Sequence, residues 1–155
     1  MSRFEFNEVK FGDVIDEARP LLERHWNEIA RNKDLISLDP DYERYAMLDE
    51  AGKLCVCIAR ENGTLVGYAC YIVDYHLHYK STLWAVSDIF WLAPECRKAG
   101  VGMRLFKFVE SVLHDRGVIV MHTTFKVAHP AAGRLLEAMG HATIEGGCSK
   151  VIGGG

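Results

Sequence analysis

The sequence predicts a single α/β domain organised around a mixed β-sheet. Its 155 residues are the size of one compact domain, and neither a linker nor an internal repeat divides them. Apolar residues at strand spacing alternate with apolar residues at helix spacing, in the order β, α, α, β, β, β, α, β, α, β. With 49% hydrophobic and 25% charged residues, the composition is that of a folded globular protein. Residues 1–155 are therefore predicted to form one domain.

The first half of the chain predicts one strand, two helices and a hairpin. The strand lies in RFEFNEV, the first helix follows Asp13, the second follows Asp39 or Asp41 and ends at Gly52, and the hairpin joins 54–59 to 65–73. Pro20 is expected to divide the first helix, because a proline inside a helix loses a hydrogen bond and clashes with the preceding turn. The Asn62-Gly63 pair is the strongest short signal for a hairpin turn.

The second half predicts two strand and helix pairs followed by a final strand. A strand in LWAVSDIFWL ends before Pro94, and a helix follows from about 102 to 116, with Gly117 as its stop. VIVMHTTF predicts the next strand, and HPAAGRLLEAMG predicts a helix that begins at Pro130 and ends before Gly140. A last strand or hairpin is expected in ATIEGGCSKVI, where glycines interrupt the apolar residues.

Charge and composition narrow the function. The formal net charge is -3 and the pI is near 6.1, so the chain lacks the basic character of a nucleic-acid-binding protein. The N-terminus has no signal-peptide core, and no run approaches the roughly 20 apolar residues that span a membrane. Five cysteines, an odd number, are typical of reduced thiols rather than of a disulfide framework. We expect a soluble cytoplasmic protein that binds neither nucleic acid nor membrane.

The stretch PECRKAGVGMRLF has the features of an anion-binding loop. It lies between a strand and a helix, so its backbone N–H groups collect at a helix N-terminus, where the macrodipole favours negative charge. Gly100 and Gly102 allow oxygen atoms to approach the backbone closely. A Walker loop would need a lysine after Gly102, where Met103 stands, and a Rossmann loop would need G-x-G-x-x-G after the first strand. Neither pattern is present.

The spacing Arg97-x-x-Gly100-x-Gly102, after a proline that ends a strand, resembles the phosphate loop of the GNAT superfamily of N-acetyltransferases. Two blocks carry the resemblance, SDIFWLAPECRKAGVGMRLF at 87–106 and HPAAGRLLEAMGH at 129–141. The run HLHYKSTLWAVSDIFWLAPECRKAGVGMRLF also resembles small acetyltransferases encoded in bacteriophage and prophage genomes. The resemblance implies a single-domain GNAT-like fold, in which helices cover both faces of a mixed sheet that splays at its fourth strand. It also implies acetyl-CoA as the co-substrate.

The resemblance further implies which residues bind acetyl-CoA. Backbone amides of the loop would hold the pyrophosphate, and backbone atoms of the fourth strand would pair with the pantetheine arm where the sheet splays. A histidine stands at the start of the later helix, where the family usually has asparagine. The residues expected to bind the co-substrate are Phe90, Trp91, Leu92, Arg97, Lys98, Ala99, Gly100, Val101, Gly102, Met103 and His129.

Acetyl transfer to an amine requires a base, because most alkylamines are protonated at neutral pH. Asp88 lies four residues before Leu92, where several family members carry a glutamate proposed as the general base. A carboxylate inside a central strand is costly to bury, so the alternative role of Asp88 is a side chain satisfied by backbone N–H groups. The family's general-acid tyrosine falls on Leu136, which has no proton to give. His78 and Tyr79 are the candidates for acid or acceptor contact, and the alternative is that they are exposed or hairpin-packed aromatic side chains.

A second wall of the acceptor site is expected from ERHWNEIARNKD and DPDYERY. Its side chains suit a cation, although a packed or solvated helix surface explains most of them as well: His25, Trp26, Glu28, Asp39, Asp41, Tyr42 and Tyr45. His76 and His78 form an H-x-H pair without a third ligand at a recognisable spacing, so no metal is predicted.

The sequence favours an N-acetyltransferase that acts on a small amine or on a protein amino group. The alternative is a non-catalytic acyl-CoA-binding sensor or interaction module that kept the phosphate loop and lost the general acid. Leu136 favours the alternative, and Asp88 opposes it. A homodimer formed through the last strands is common in the family, and the sequence leaves the oligomeric state open.

Overall fold

The computed structural model describes residues 3–153, which contain five strands and four α-helices. The elements are β1 (Phe4–Val9), α1 (Phe11–Ile29), α2 (Tyr42–Glu50), β2 (Leu54–Glu61), β3 (Thr64–His76), β4 (Tyr79–Leu92), α3 (Val101–Asp115), β5 (Val120–His122) and α4 (Pro130–Ala138). A single turn of 3-10 helix at Pro94–Cys96 joins β4 to the loop before α3. Within residues 3–153, no helix combines the length and the hydrophobicity needed to cross a membrane.

The strands lie side by side in chain order, and the sheet is mixed as predicted. β1, β2, β3 and β4 pair antiparallel, whereas β5 runs parallel to β4. The β4-to-β5 connection therefore needs a crossover, and α3 supplies it. The turn between β2 and β3 has φ angles of 49° at Asn62 and 86° at Gly63, the positive values that a tight hairpin turn requires.

Helices cover both faces of the sheet, as the family resemblance implies. α3 lies on one face, where Phe106 contacts Phe90 of β4 and Phe108 contacts Phe6 of β1, with ring centroids 5.0 and 6.4 Å apart. α1 and α2 lie on the other face. β2 is sandwiched between these layers, and residues 54–59 are all buried. The centre of the core is therefore β2 and β3, and β4 with its loop lies toward the edge.

Pro20 does not divide the first helix. α1 continues unbroken from Phe11 to Ile29. Pro20 is exposed, so the carbonyl that loses its N–H donor can bind water instead. The opposite face of α1 is buried at Val14, Ala18 and His25, and this packing outweighs the missing hydrogen bond.

The strand predicted in ATIEGGCSKVI is absent from the described residues. Residues 142–153 have no regular secondary structure, and all of them are exposed. The apolar side chains Ile144 and Ile152 pack against nothing, being 67% and 93% exposed. With Gly146 and Gly147 between them, the segment buries too little surface to offset the entropy of ordering it. β5 is also shorter than VIVMHTTF predicts, since its pairing ends at His122.

The close approach of β3 and β4 depends on Gly67. A Cβ atom at this position would lie 2.8 Å from the carbonyl oxygen of Trp91 and 2.8 Å from Leu92 Cδ1. We predict that Gly67→Ala lowers the free energy of unfolding by about 1–3 kcal/mol, because β4 must move to admit the methyl group. Urea denaturation followed by circular dichroism measures the change.

Gly12→Ala is the matched control. A Cβ atom at Gly12, in the first turn of α1, meets nothing within 4 Å. This substitution should leave stability unchanged or raise it by up to about 1 kcal/mol, because alanine is the better helix former. Equal stabilities of the two variants would show that β3 and β4 do not constrain each other at Gly67.

Candidate active site

β4 and β5 pair over a short distance and then diverge. They pair only from Trp84 to Val86 on β4, with Val120 to His122 on β5. At the parting point, the Oγ of Ser87 accepts a hydrogen bond of 2.9 Å from the Thr124 amide, in place of the next rung of the ladder. Among the described residues, no strand pairs with residues 87–92 of β4 on this side. The edge from Asp88 to Leu92 is therefore open, as the predicted splay requires.

Asp88 stands at a β-bulge. Ser87 is paired with Tyr71 and Ile89 with Cys70, so Asp88 has no partner on β3. A bulge re-aims side chains, and that of Asp88 is exposed rather than buried in the sheet. The expectation of a costly buried carboxylate is therefore wrong, and so is its satisfaction by backbone N–H groups: the hydroxyl of Tyr45, on α2, donates a hydrogen bond to Asp88 Oδ2.

Tyr45 holds its proton firmly. Burial, together with the hydrogen bond to Asp88, raises the pKa of Tyr45 well above its usual range. A thiol has a reference pKa of about 8.5, so proton transfer from Tyr45 to a departing thiolate would be uphill. Tyr45 is thus suited to orient the Asp88 carboxylate and unsuited to act as a general acid.

The open edge of β4 presents some of the predicted backbone groups. The Ala93 amide donates to the carbonyl of Val66 on β3, at 2.8 Å. Because an antiparallel ladder alternates, the peptide groups of Trp91 also face β3, whereas those of Phe90 and Leu92 face the open side. Phe90 and Leu92 are therefore placed for the predicted pantetheine contact. The backbone of Trp91 is already engaged with β3, so its predicted role loses support.

The loop before α3 forms a cradle of amides. Ala99 and Gly100 have positive φ angles of 50° and 69°, which turn successive N–H groups toward the helix N-terminus. Within residues 3–153, the amides of Ala99, Gly100, Gly102 and Met103 make no backbone hydrogen bond to a loop carbonyl. Free amides beside exposed cationic side chains fit a pyrophosphate, and those side chains are Lys98, Arg104 and Lys107.

Arg97 anchors the loop to α1 and to β4. Its guanidinium donates to both carboxylate oxygens of Glu28, at 2.6 and 2.8 Å, and its Nε donates to the carbonyl of Leu92 at 2.8 Å. The indole of Trp91 donates to the same carboxylate at 2.8 Å. The Arg97 and Trp91 bonds lower the pKa of Glu28 to about 2, so the carboxylate stays ionised. Direct contact between Arg97 and a phosphate stays a prediction.

His25 lies buried beside this ion pair. Its Nδ1 is 2.8 Å from the hydroxyl of Tyr68, and its ring stacks on Trp91 with centroids 6.1 Å apart. Burial lowers the pKa of His25 to about 4; the charge of Glu28 opposes this effect, and the charges of Arg97 and Lys126 add to it. His25 is therefore a neutral packing residue. His25 and Glu28 are engaged with Tyr68, Trp91 and Arg97, so both predictions of acceptor contact lose support.

His78 and Tyr79 form an aromatic cluster at the end of the β3–β4 hairpin. The ring of Tyr79 stacks on that of Trp84, with centroids 6.1 Å apart, and the centroid of the His76 ring lies 4.4 Å from that of Trp84. Asp88 lies four positions after Trp84, which is about 13 Å of strand. No hydrogen bond among the described residues links this cluster to Asp88. The structure therefore does not bring His78 or Tyr79 to Asp88, and contact with the acceptor stays a prediction.

α4 closes the other side of the loop. Its Leu135 approaches Gly102, where a Cβ atom would lie 3.3 Å from Leu135 Cδ2. His129 is the N-cap of α4 and is exposed, with its side chain free of a cap hydrogen bond. Leu136 is 3% exposed and packs in the core. The position that carries a general acid in the family is thus a buried hydrocarbon here.

Some expected acceptor-wall residues do line a cavity beside Asp88. It lies between α1, α2 and the sheet, and its walls include Trp26, Asp39, Tyr42 and Tyr45. Asp41 instead caps α2, where its Oδ1 accepts a 2.9 Å hydrogen bond from the Arg44 amide. Among the described residues, no three His, Cys, Asp or Glu side chains form a group able to hold a metal ion.

Sequence reasoning missed the long-range pairs of this site. Glu28 and Arg97 are 69 residues apart, and Tyr45 and Asp88 are 43 apart. Each lies in a plausible helix or strand pattern, but nothing in a single sequence states which charged or polar side chains meet. The bulge at Asp88 has no sequence signal of its own.

The family model described as "Acetyltransferase (GNAT) family" matches residues 16–141. This range contains the open strand, the amide loop, Asp88 and α4. No curated protein matches the sequence.

Solved structures with the same fold are distant in sequence. A ribosomal-protein-alanine N-acetyltransferase from Brucella melitensis biovar Abortus 2308 is 18% identical, with a TM-score of 0.70 over 99% of this chain and 100% of that one. The aminoglycoside acetyltransferase meta-AAC0020 from an uncultured soil metagenomic sample, solved with sisomicin, is 14% identical, with a TM-score of 0.75 over 97% and 95%. The aminoglycoside N-acetyltransferase AAC(6')-Iy, solved with CoA, is 17% identical, with a TM-score of 0.67 over 97% and 95%.

The buried His25 should make stability depend on pH. The unfolded chain takes up its proton near pH 6.5, whereas folded His25 does so only near pH 4. Between these values the unfolded state binds more protons, so stability falls as the pH falls. We predict that the wild type loses about 3 kcal/mol more than His25→Gln between pH 7 and 4. Urea denaturation across this range measures the difference.

His114→Gln provides the control, because the side chain of His114 is 88% exposed at the end of α3. Its pH dependence should match that of the wild type. A His25→Gln variant with the wild-type slope would contradict the neutral, buried state of His25.

Proposed function

The chain belongs to the GNAT family of acetyltransferases, and we propose that it transfers the acetyl group of acetyl-CoA to a primary amine of a small molecule or a protein. One observation carries this proposal: the exposed Asp88, the open edge of β4 and the free amides of the loop follow one another along the chain from β4 to α3. That order matches the thioester, the pantetheine arm and the pyrophosphate of the co-substrate.

The co-substrate would bind chiefly through backbone groups. The amides of Ala99, Gly100, Gly102 and Met103 would receive the pyrophosphate oxygens, with the α3 dipole in support. The open-side groups of Phe90 would continue the hydrogen bonding along the pantetheine arm. The Leu92 carbonyl already accepts from Arg97, which leaves the Leu92 amide free. Such a site tolerates side-chain variation, because the geometry resides in the positive φ angles of the loop and in the splayed strand.

In the proposed reaction, the amine nitrogen attacks the thioester carbonyl, a C–N bond forms and the C–S bond breaks. Asp88 would accept the proton of the amine, through one water because its side chain is short. The Leu92 amide on the open edge would donate to the oxyanion. The departing thiolate would take its proton from solvent, since Leu136 carries none and Tyr45 holds its own too tightly.

Several finer features are part of the proposal. The structural neighbours are named for amine acceptors as different as a ribosomal-protein alanine and an aminoglycoside, which supports an amine acceptor of some kind here. Buried reduced cysteines, such as Cys55 and Cys57, fit a cytoplasmic location. The likeness to phage-encoded acetyltransferases, and a homodimer, stay predictions.

A non-catalytic CoA-binding module is the second candidate. The buried Leu136 favours it, because the usual proton donor is missing. The bulge that exposes Asp88 on the open edge opposes it, because a binding module has no need of a carboxylate there. Release of free thiol from acetyl-CoA in the presence of amines distinguishes the two, since a module would bind without release.

Gly102→Val should weaken binding of the co-substrate. Its side chain would enter the space above the free amides and meet Leu135, whose Cδ2 lies 3.3 Å from the position of a Cβ atom. We expect the dissociation constant for acetyl-CoA to rise at least about tenfold, the effect of losing one charge-assisted hydrogen bond. Isothermal titration calorimetry measures it. Gly146→Val, where a Cβ atom meets nothing within 4 Å, is the control and should bind normally.

Asp88→Asn should spare binding of acetyl-CoA and reduce kcat by about 10²–10⁴-fold, the usual contribution of a general base. Tyr45→Phe is the informative comparison, because it removes the hydroxyl that bonds to Asp88 and keeps the carboxylate. A smaller loss in Tyr45→Phe supports a base. Equal losses in both variants would mean that Asp88 serves only to anchor α2. Steady-state thiol release with saturating acetyl-CoA supplies the rates.

A further inference from the structure

A large apolar cavity adjoins the proposed reaction centre. It has a volume of about 370 Å³ and lies between α1, residues 36–40, α2 and the face of the sheet opposite α3. This volume falls within the roughly 300–1,000 Å³ of small-molecule sites. Its walls are largely hydrocarbon, contributed by Val14, Ala18 and Leu22 of α1 and by Ile58 and Ile89 of the sheet.

The cavity and Asp88 share a wall. Tyr45 lines the cavity and donates a hydrogen bond to the Asp88 carboxylate. Ile89 also lines the cavity, and it follows Asp88 directly in the bulge of β4. A molecule seated in the cavity therefore ends beside the carboxylate that would take its proton.

Few polar groups line the cavity. One of them is the carboxylate of Asp39, which is exposed, and Asp88, also exposed, lies behind the lining residue Tyr45, whose hydroxyl donates to it. These two carboxylates attract an ammonium group, and the hydrocarbon walls offer few partners for any other polar atom. This arrangement favours a ligand with one cationic end and an apolar body.

We propose that this cavity is the acceptor pocket and that the acceptor is a primary amine with a compact apolar body, either a short alkyl chain or one aromatic ring. The proposal rests on the acetyltransferase function proposed above and names its substrate class. A polyhydroxylated amine, such as the sisomicin bound to a structural neighbour, would bury hydroxyl groups without partners in this cavity.

Thiol release from acetyl-CoA with a graded series of amines tests the proposal. From ethylamine to pentylamine, kcat/KM should rise about fourfold for each methylene, the value expected for burying one CH₂ group. 2-Phenylethylamine should exceed glucosamine, a hydroxylated amine of similar size, by at least about 100-fold. A flat alkyl series, or glucosamine as the better acceptor, would overturn the proposal.

Two substitutions place the acceptor in this cavity. Ala18→Leu extends a side chain into it and should reduce kcat/KM for 2-phenylethylamine at least about tenfold, while ethylamine loses little. Ala138→Leu, on the exposed surface of α4, is the matched control and should match the wild type with both amines. Ile36→Ser changes a wall residue that is 54% exposed, so the variant should fold normally. It should lower kcat/KM for 2-phenylethylamine by a few-fold.

Calorimetric titration of 2-phenylethylamine into the protein saturated with CoA supplies a readout that does not need turnover. Binding of 2-phenylethylamine to the wild type that is lost in Ala18→Leu supports the pocket. If binding is seen but no amine causes thiol release, the proposed function fails while the pocket stands. Absence of binding, together with absence of turnover, overturns the pocket. The cavity could instead hold the acyl chain of the co-substrate. A preference for butyryl-CoA over acetyl-CoA that is lost in Ala18→Leu, with no selectivity among amines, would show this and also overturn the proposal.

Discussion

The parting of β4 from β5 is the constraint on which the site depends. Parallel pairing lasts for three residues and stops where the Ser87 hydroxyl substitutes for a backbone partner. From Ile89 to Leu92, β4 keeps its ladder with β3, and no strand among the described residues pairs with its other side. An open row of peptide groups is costly unless a ligand or water satisfies it. The bulge at Asp88 lies at the start of this row and turns a carboxylate outward.

α1 couples the two halves of the site mechanically. Its first turns supply Val14 and Ala18 to the apolar cavity, and its last turns supply His25 and Glu28 to the end of β4. Through Glu28, the helix also holds Arg97 and hence the loop of free amides. A kink at Pro20 would have uncoupled these contacts. The continuous helix instead connects the wall of the apolar cavity to the loop of free amides.

The order of the elements up to α4, and the loop of free amides before α3, could be predicted from the sequence because both depend on local rules. Glycine at positive φ, the proline that ends β4 and the helical spacing of α3 are each encoded within a few residues. The failures arose where tertiary packing overrides local preference. Pro20 is tolerated because the other face of α1 is buried, and residues 142–153 form no strand because nothing covers their apolar side chains. The exposure of Asp88 follows from a bulge, and a bulge depends on how two strands pair rather than on the sequence of either strand alone.

The site contains a candidate proton acceptor, Asp88, but neither Leu136 nor Tyr45 is suited to donate a proton. In the proposed function the Asp88 carboxylate would receive a proton from the amine, whereas Leu136 is hydrocarbon and the proton of Tyr45 is held by burial and by Asp88. This imbalance suits the chemistry, because a thiolate is a tolerable leaving group and a protonated amine cannot attack at all. An apolar wall acts in the same direction, since burial disfavours the ammonium form. In the proposed function, the Asp88 carboxylate would attract that cation, and the hydrocarbon of the cavity would favour the neutral amine. Cavity and carboxylate together would thus prepare the nucleophile.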